Sequence, residues 1–260
     1  MTILILVRMP MYNSDLIDAL FATVSEYLRE INKVGIAFSG GIDSTLLAII
    51  CKNMNIDTTL FTVGFPYSND IEFSKSISHK INMNHKILEL DREDFTAVSK
   101  KIKNEISCNN SSHIENCIAF SYIAKLASKN DTPVVLTANG FDELFCGYHN
   151  FRFIFNQGND TINKTIESKI LNEFELIIEI KQVAKKYGIN ILQPFLSNGF
   201  ISIAMKFPIY NKIVSNHDVL RKHIIRKIGL SFDLPPEVII RRKKAFQYGS
   251  LIHKYYKKIN

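Results

Sequence analysis

Apolar residues recur at three- and four-residue steps over 14–31, where Leu16, Leu20, Phe21, Val24, Leu28 and Ile31 share one helical face. The pattern then becomes a short continuous run, Val34-Gly35-Ile36-Ala37-Phe38, suited to a buried strand. Further strands are predicted at 58–63, 86–90 and 134–137, and helices at 46–53, 69–82, 92–105 and 114–128. Strand and helix alternating at this spacing predict an α/β fold, a parallel sheet with helices on both faces. After Gly147 the pattern turns helical, at 166–187, 199–207 and 218–228. No Pro/Gly/Ser-rich linker divides the chain, so one domain is expected over 1–260, α/β to about 150 and helical from about 151.

Composition changes this picture little, at 46% hydrophobic and 22% charged. No apolar run approaches the roughly 20 residues of a membrane helix. The opening run Ile3-Leu4-Ile5-Leu6-Val7 is short and has no basic stretch before it, so no signal peptide is expected. Cys51, Cys108, Cys117 and Cys146 show neither a CxxC nor a metal-like spacing and read as reduced thiols of a cytoplasmic protein. The seven histidines form no close pair of metal-binding spacing. Charge is more informative. The net charge is +7, and 241–260 holds seven Lys/Arg without an acid, so the other 240 residues balance. A uniformly basic nucleic-acid-binding surface is thereby excluded. The final Lys254-Tyr255-Tyr256-Lys257-Lys258 interleaves aromatics with cations, but at a chain end it reads first as a solvated tail.

The first strand runs into Ser39-Gly40-Gly41-Ile42-Asp43-Ser44-Thr45 and then a helix. Two glycines let backbone N–H groups approach an anion, and the hydroxyls and helix N-terminus add to a phosphate-binding character. The lysine and longer spacing of the Walker loop are missing, as are the three spaced glycines of the dinucleotide fingerprint. Asp43 facing phosphates calls for a bridging divalent cation, naturally Mg²⁺. Ser-Gly-Gly by itself is also an ordinary strand-to-helix turn.

This loop resembles the pyrophosphate loop of the N-type ATP pyrophosphatases, which cleave ATP to AMP and pyrophosphate. Three more segments narrow the resemblance to the synthetase domain of asparagine synthetases. Leu60-Phe61-Thr62-Val63-Gly64-Phe65, with Asp70 and His85 downstream, looks like the strand whose backbone holds adenine. Thr137-Ala138-Asn139-Gly140-Phe141-Asp142-Glu143 through Gly147-Tyr148 is similar to the signature carrying a second metal-binding carboxylate. Leu234-Pro235-Pro236 through Arg241, Lys243, Phe246 and Gly249 resembles the family's C-terminal phosphate-handling motif, and Gln193-Pro194-Phe195-Leu196 its Pro-Phe-Leu segment.

The resemblance implies a Rossmann-like (HUP) fold of the adenine nucleotide alpha hydrolase type, with ATP and Mg²⁺ as cofactors. It implies Ser39, Gly40, Gly41, Asp43, Ser44, Thr62, Val63 and Gly140 as nucleotide-binding, Asp43 and Asp142 as metal ligands, and Lys243, Asp142 and Glu143 as catalytic. The implied activity is an AMP-forming amide ligase that activates a carboxylate, with aspartate first, for attack by ammonia or another amine.

Two departures are visible. No glutaminase domain with an N-terminal cysteine is seen, residue 2 being Thr2, so a separate glutaminase subunit is one implied partner and a homodimer another. Asn139 stands where asparagine-forming members carry a glutamate, and an amide cannot take up an ammonium proton. A tRNA- or nucleobase-modifying enzyme of the same superfamily, or a non-catalytic nucleotide-binding relative, are the alternatives.

Overall fold

The structure is a computed structural model that describes residues 13–106 and 110–259. Thr2, the run Ile3-Leu4-Ile5-Leu6-Val7 and Cys108 lie outside the described residues. The chain opens with α1 (Asn13–Tyr27), β1 (Lys33–Ala37), α2 (Ile42–Asn53), β2 (Asp57–Gly64), α3 (Asn69–Lys80) and β3 (Asn84–Glu89). It continues with α4 (Arg92–Glu105), α5 (Ser111–Ser128), β4 (Val134–Leu136) and the single turn α6 (Phe141–Leu144). Then come α7 (Asn150–Ile154), the long α8 (Asn159–Lys185), β5 (Asn190–Leu192) and α9 (Asn198–Lys206). Short helices finish the chain: α10 (His223–Ser231), α11 (Pro236–Ile240), α12 (Phe246–Gly249) and α13 (Ile252–Ile259).

The five strands are parallel throughout and lie in the order β3-β2-β1-β4-β5. Each face of the sheet is covered by its own apolar cluster. On one side Leu16, Leu20, Leu46, Ile50, Ile224 and Ile228 bring in α1, α2 and α10. On the other, Phe95, Ile118, Ile123, Leu176 and Ile180 bring in α4, α5 and α8. A sheet buried on both faces needs continuous apolar strands, and β2 shows this with every residue after Asp57 buried. The architecture is the α/β fold that the alternating pattern predicts.

Three segments differ from their sequence reading, each for a local reason. Strand β5 lies inside the stretch read as helical. Its three residues are too few to show a period, and they extend the sheet by pairing with β4, Val134 opposite Asn190. Residues 218–222, read as the start of a helix, are not helical; Arg221 and Lys222 have φ of 50° and 54°, and α10 begins only at His223. The Asp218 carboxylate accepts the backbone N–H groups of Val214, Leu220 and Arg221 at 3.1, 3.1 and 2.9 Å, which holds a turn against the helix. Lys254, Lys257 and Lys258 sit on α13 and not on a solvated tail, because Ile252 and Tyr256, one turn apart, are buried against the core. No helix among the described residues is long and apolar enough to cross a membrane.

Candidate active site

Strand order reverses between β1 and β4, and in open parallel sheets the crevice at the carboxyl ends of such strands is where ligands bind. The glycine loop leaves β1 at this crevice. Gly41 serves as N-cap of α2 without any side-chain cap, so the first-turn N–H groups of α2 stay open to an anion. The loop is held by its own hydroxyls: Gly41 N–H donates to Ser39 Oγ at 3.3 Å, and Ser44 Oγ–H donates to the Gly41 carbonyl at 3.3 Å. A cleft of about 200 Å³ opens beside it, with Ser39, Asp43, Ser44, Asp142, Glu143 and Lys243 on its wall.

Asp43 on α2 and Asp142 on α6 come off the two strands that flank the reversal, and the structure brings them together through a residue the sequence reading did not single out. The Lys222 ammonium, only 2% exposed, lies 2.5 Å from Asp43 Oδ2 and 2.7 Å from Asp142 Oδ1. Room for this junction comes from Gly147, where a Cβ would fall 2.0 Å from Asp142 Oδ1 and 2.3 Å from Lys222 Cε. The turn that carries Lys222 is clamped by the Arg221 guanidinium, which donates to the Gly147 carbonyl through Nε and Nη2 at 3.2 and 3.1 Å. Lys243 pairs with the second oxygen of Asp142. Burial alone would raise the Asp142 pKa, but Lys222 and Lys243 outweigh it and hold the carboxyl down to about 2. Burial opposes the Lys243 charge, yet Asp142 and Asp43 raise its pKa above the usual lysine value.

The donor set suits Mg²⁺. Asp43 Oδ1 is buried without a hydrogen-bond partner among the described residues, and carboxylate oxygens are the hard ligands that this ion takes alongside substrate phosphates. The described residues hold no group of three or more His, Cys, Asp or Glu placed to hold a metal ion, so an ion at Asp43 and Asp142 depends on the nucleotide for further ligands.

Residues 241–245 form no regular secondary structure, and Arg241 to Lys244 line a hollow with Ser39, Gly41 and Asp43 of the glycine loop. Arg241 donates to the Ser39 carbonyl at 3.1 Å and to Asp70 Oδ1 at 3.0 Å, and its guanidinium lies 3.8 Å above the Phe73 ring. Burial pushes Asp70 up to about 6 against the pull of Arg241. This segment thus sets Lys243 against Asp142.

Glu143 and Gly140 carry structural duties. Glu143 Oε2 accepts the Gly140 N–H at 3.0 Å and Oε1 accepts the Tyr148 hydroxyl, so both oxygens are committed to the turn that presents Asp142. Burial first, and Asp142 second, raise the Glu143 pKa. Asn139 Oδ1 accepts from Thr137 Oγ1 at 2.6 Å, and its Nδ2 donates to Glu173 of α8, a second residue absent from the sequence reading. Thr62 and Val63 do not reach the cleft with their side chains. Val63 is in the core, and the Thr62 hydroxyl donates to the Phe38 carbonyl at 2.5 Å and meets His85 Nε2 at 2.8 Å.

Sequence comparison bears on the family. The family model described as asparagine synthase matches residues 15–173. A putative glutamine-hydrolyzing asparagine synthetase of Methanocaldococcus jannaschii is 26% identical over 275 residues, covering 92% of this chain and 50% of that protein. The glutamine-hydrolyzing asparagine synthetases of Gallus gallus and Homo sapiens are 25% and 24% identical, each over 87% of this chain and 41% of their own length. The chain therefore spans half or less of these relatives. The solved NMN synthetase from Francisella tularensis superimposes with a TM-score of 0.51 at 13% identity, over 96% of this chain and 86% of that one, a likeness of fold alone. Matched by the family model over more than half its length, the chain belongs to the asparagine synthase family.

Proposed function

We infer that the protein is an ATP-dependent amide ligase that releases AMP and pyrophosphate. The observation that carries this reading is the junction of Asp43, Asp142, Lys222 and Lys243 beside an uncapped glycine loop at the sheet's switch point. In the proposed reaction a carboxylate oxygen of the acceptor attacks the α-phosphate of ATP, and the bond to pyrophosphate breaks. Ser39, Gly40, Gly41 and Ser44 cradle the phosphates, and Lys243 takes up the charge developing on pyrophosphate. Mg²⁺ held by Asp43 and Asp142 would supply further neutralisation of the phosphate oxygens. The backbone of Thr62 and Val63 flanks adenine, Gly140 forms the turn beside the nucleotide, and Glu143 holds Asp142 in position. Ammonia or another amine then displaces AMP from the acyl group.

A pyrophosphate-release screen of amino acids with ATP, Mg²⁺ and ammonia, begun with aspartate, tests the reading. Release is expected with one acid and not without it, and Lys243→Ala should lower the rate at least about 10²-fold. Undiminished release by that variant removes Lys243 from the mechanism.

A further inference from the structure

Helix α8 lays Ile162, Ile166, Ile170, Ile177, Ile180 and Ala184 against the core, and Glu173 interrupts that apolar stripe. A carboxylate in such a place is expensive to bury without a counter-charge. Glu173 is 5% exposed, and no described lysine or arginine is ion-paired with it. Its one hydrogen bond among the described residues comes from Asn139 Nδ2 to Oε1. Asn139 is itself fixed, because Thr137 Oγ1 donates to its Oδ1 and so leaves the amide N–H₂ toward Glu173. The second Glu173 oxygen is left for a ligand. The residue lines the same cleft as Asp43, Asp142 and Lys243. The lining also holds His113 and the amides Asn116, Asn172 and Gln247, and Lys243 is the one lysine or arginine among the described lining residues. The glycine loop and a buried carboxylate thus line one cleft.

We propose that Glu173 is the proton acceptor for the amine that attacks the acyl-adenylate, a role that rests on the ligase reading above. The uncharged amine nitrogen forms the new bond to the acyl carbon while one of its protons passes to the Glu173 carboxylate. The bond from the acyl carbon to the phosphate oxygen breaks, and AMP leaves with that electron pair. Asn139 cannot serve as this base, since an amide takes no proton at working pH, but it orients the residue that can. Burial first, then the neighbouring Glu143 and Asp142, push Glu173 up to about 8, while the Asn139 bond and Lys243 pull the other way. A base poised near the working pH is the kind that general-base catalysis favours.

The experiment separates the two half-reactions in the purified full chain, using the amino acid that gives the fastest pyrophosphate release with the wild type. Glu173→Gln keeps an acceptor for the Asn139 bond, so its melting temperature should stay within a few degrees of wild type and its acid-dependent ATP–pyrophosphate exchange within about 3-fold. Amide formation from ammonia should fall by about 10²-fold or more, in kcat rather than in KM for ammonia. Glu173→Asp should recover part of the rate. Hydroxylamine, whose less basic nitrogen sheds its proton more readily, should suffer a much smaller loss. Wild-type amide formation by Glu173→Gln, or an equal loss with both amines, would overturn the assignment while leaving the ligase reading intact. Absence of exchange in the wild type over the whole acid panel refutes the ligase reading and this proposal together.

Discussion

Lys222 stands in the centre of the site only because two consecutive residues, Arg221 and Lys222, adopt left-handed backbone angles. For side chains of this size that conformation costs on the order of 1 kcal/mol per residue, and the surroundings must supply the compensation. They do so through the Asp218 turn, the Arg221 clamp on Gly147, and the ion pairs of Lys222 with Asp43 and Asp142. Removing the ammonium would leave two largely buried carboxylates, of which Asp142 keeps its ion pair with Lys243 and Asp43 keeps none among the described residues. Lys222→Met is therefore expected to cost about 3–5 kcal/mol, a fall in Tm of roughly 10 °C. Because the same carboxylates are the proposed magnesium ligands, MgCl₂ should raise the Tm of this variant more than that of the wild type. Thermal unfolding with and without MgCl₂ reads both effects, and a variant melting within a degree or two of wild type would deny Lys222 its place in the junction.

Elements meet at the site through side chains whose partners lie far away in sequence. His85 of β3 is one such tie. Its Nε2 meets Thr62 of β2 at 2.8 Å, and its Nδ1 meets Ser78 of α3 at 2.9 Å. Thr62 in turn donates to the Phe38 carbonyl just before the glycine loop, so the neutral imidazole braces the strand end that presents the loop. Burial first, then Lys75, lower the His85 pKa from 6.5 to about 4. As pH falls through that window the unfolded chain takes up a proton that the folded chain refuses, so stability declines on acidification. The wild type should lose about 1–2 kcal/mol more than His85→Gln between about pH 7 and pH 5 by urea unfolding. Equal losses would remove His85 as the cause.

The same scale explains what could be read in advance. The α/β alternation and the glycine loop are legible because each rests on local patterning or on a contiguous motif, whereas Asp43, Asp142 and Lys243 lie in three separate segments and are marked only by the family resemblance. Glu173 left a weaker trace, an acid on an otherwise apolar face of α8, and a helical wheel of that face marks it. Lys222 left none, since its placement depends on a left-handed turn within a stretch of helical pattern. Strand β5 escaped for want of length, and Thr62 showed a strand but not the polar brace it makes across three elements.

Over the whole molecule, part of the basic excess of 241–260 becomes counter-charge for acids in and beside the cleft. Arg241 meets Asp70, and Lys243 meets Asp142, across the line where the C-terminal segment returns to the α/β half. This return joins the two halves mechanically as well. One apolar cluster combines Leu46 and Ile50 with Phe195, Ile224 and Ile228, and the other combines Phe61 and Ile118 with Ile180, Ile252 and Tyr256. Strand β5 adds a backbone link, because the second half completes the sheet of the first. Among the described residues both apolar clusters draw on both halves, so the chain is expected to unfold as one domain. Scanning calorimetry is expected to give a single transition with equal calorimetric and van't Hoff enthalpies, moved upward as a unit by ATP with Mg²⁺. Two resolved transitions, or a nucleotide shift confined to one of them, would show that the helical half is a separate folding unit and that the cleft forms at a domain boundary.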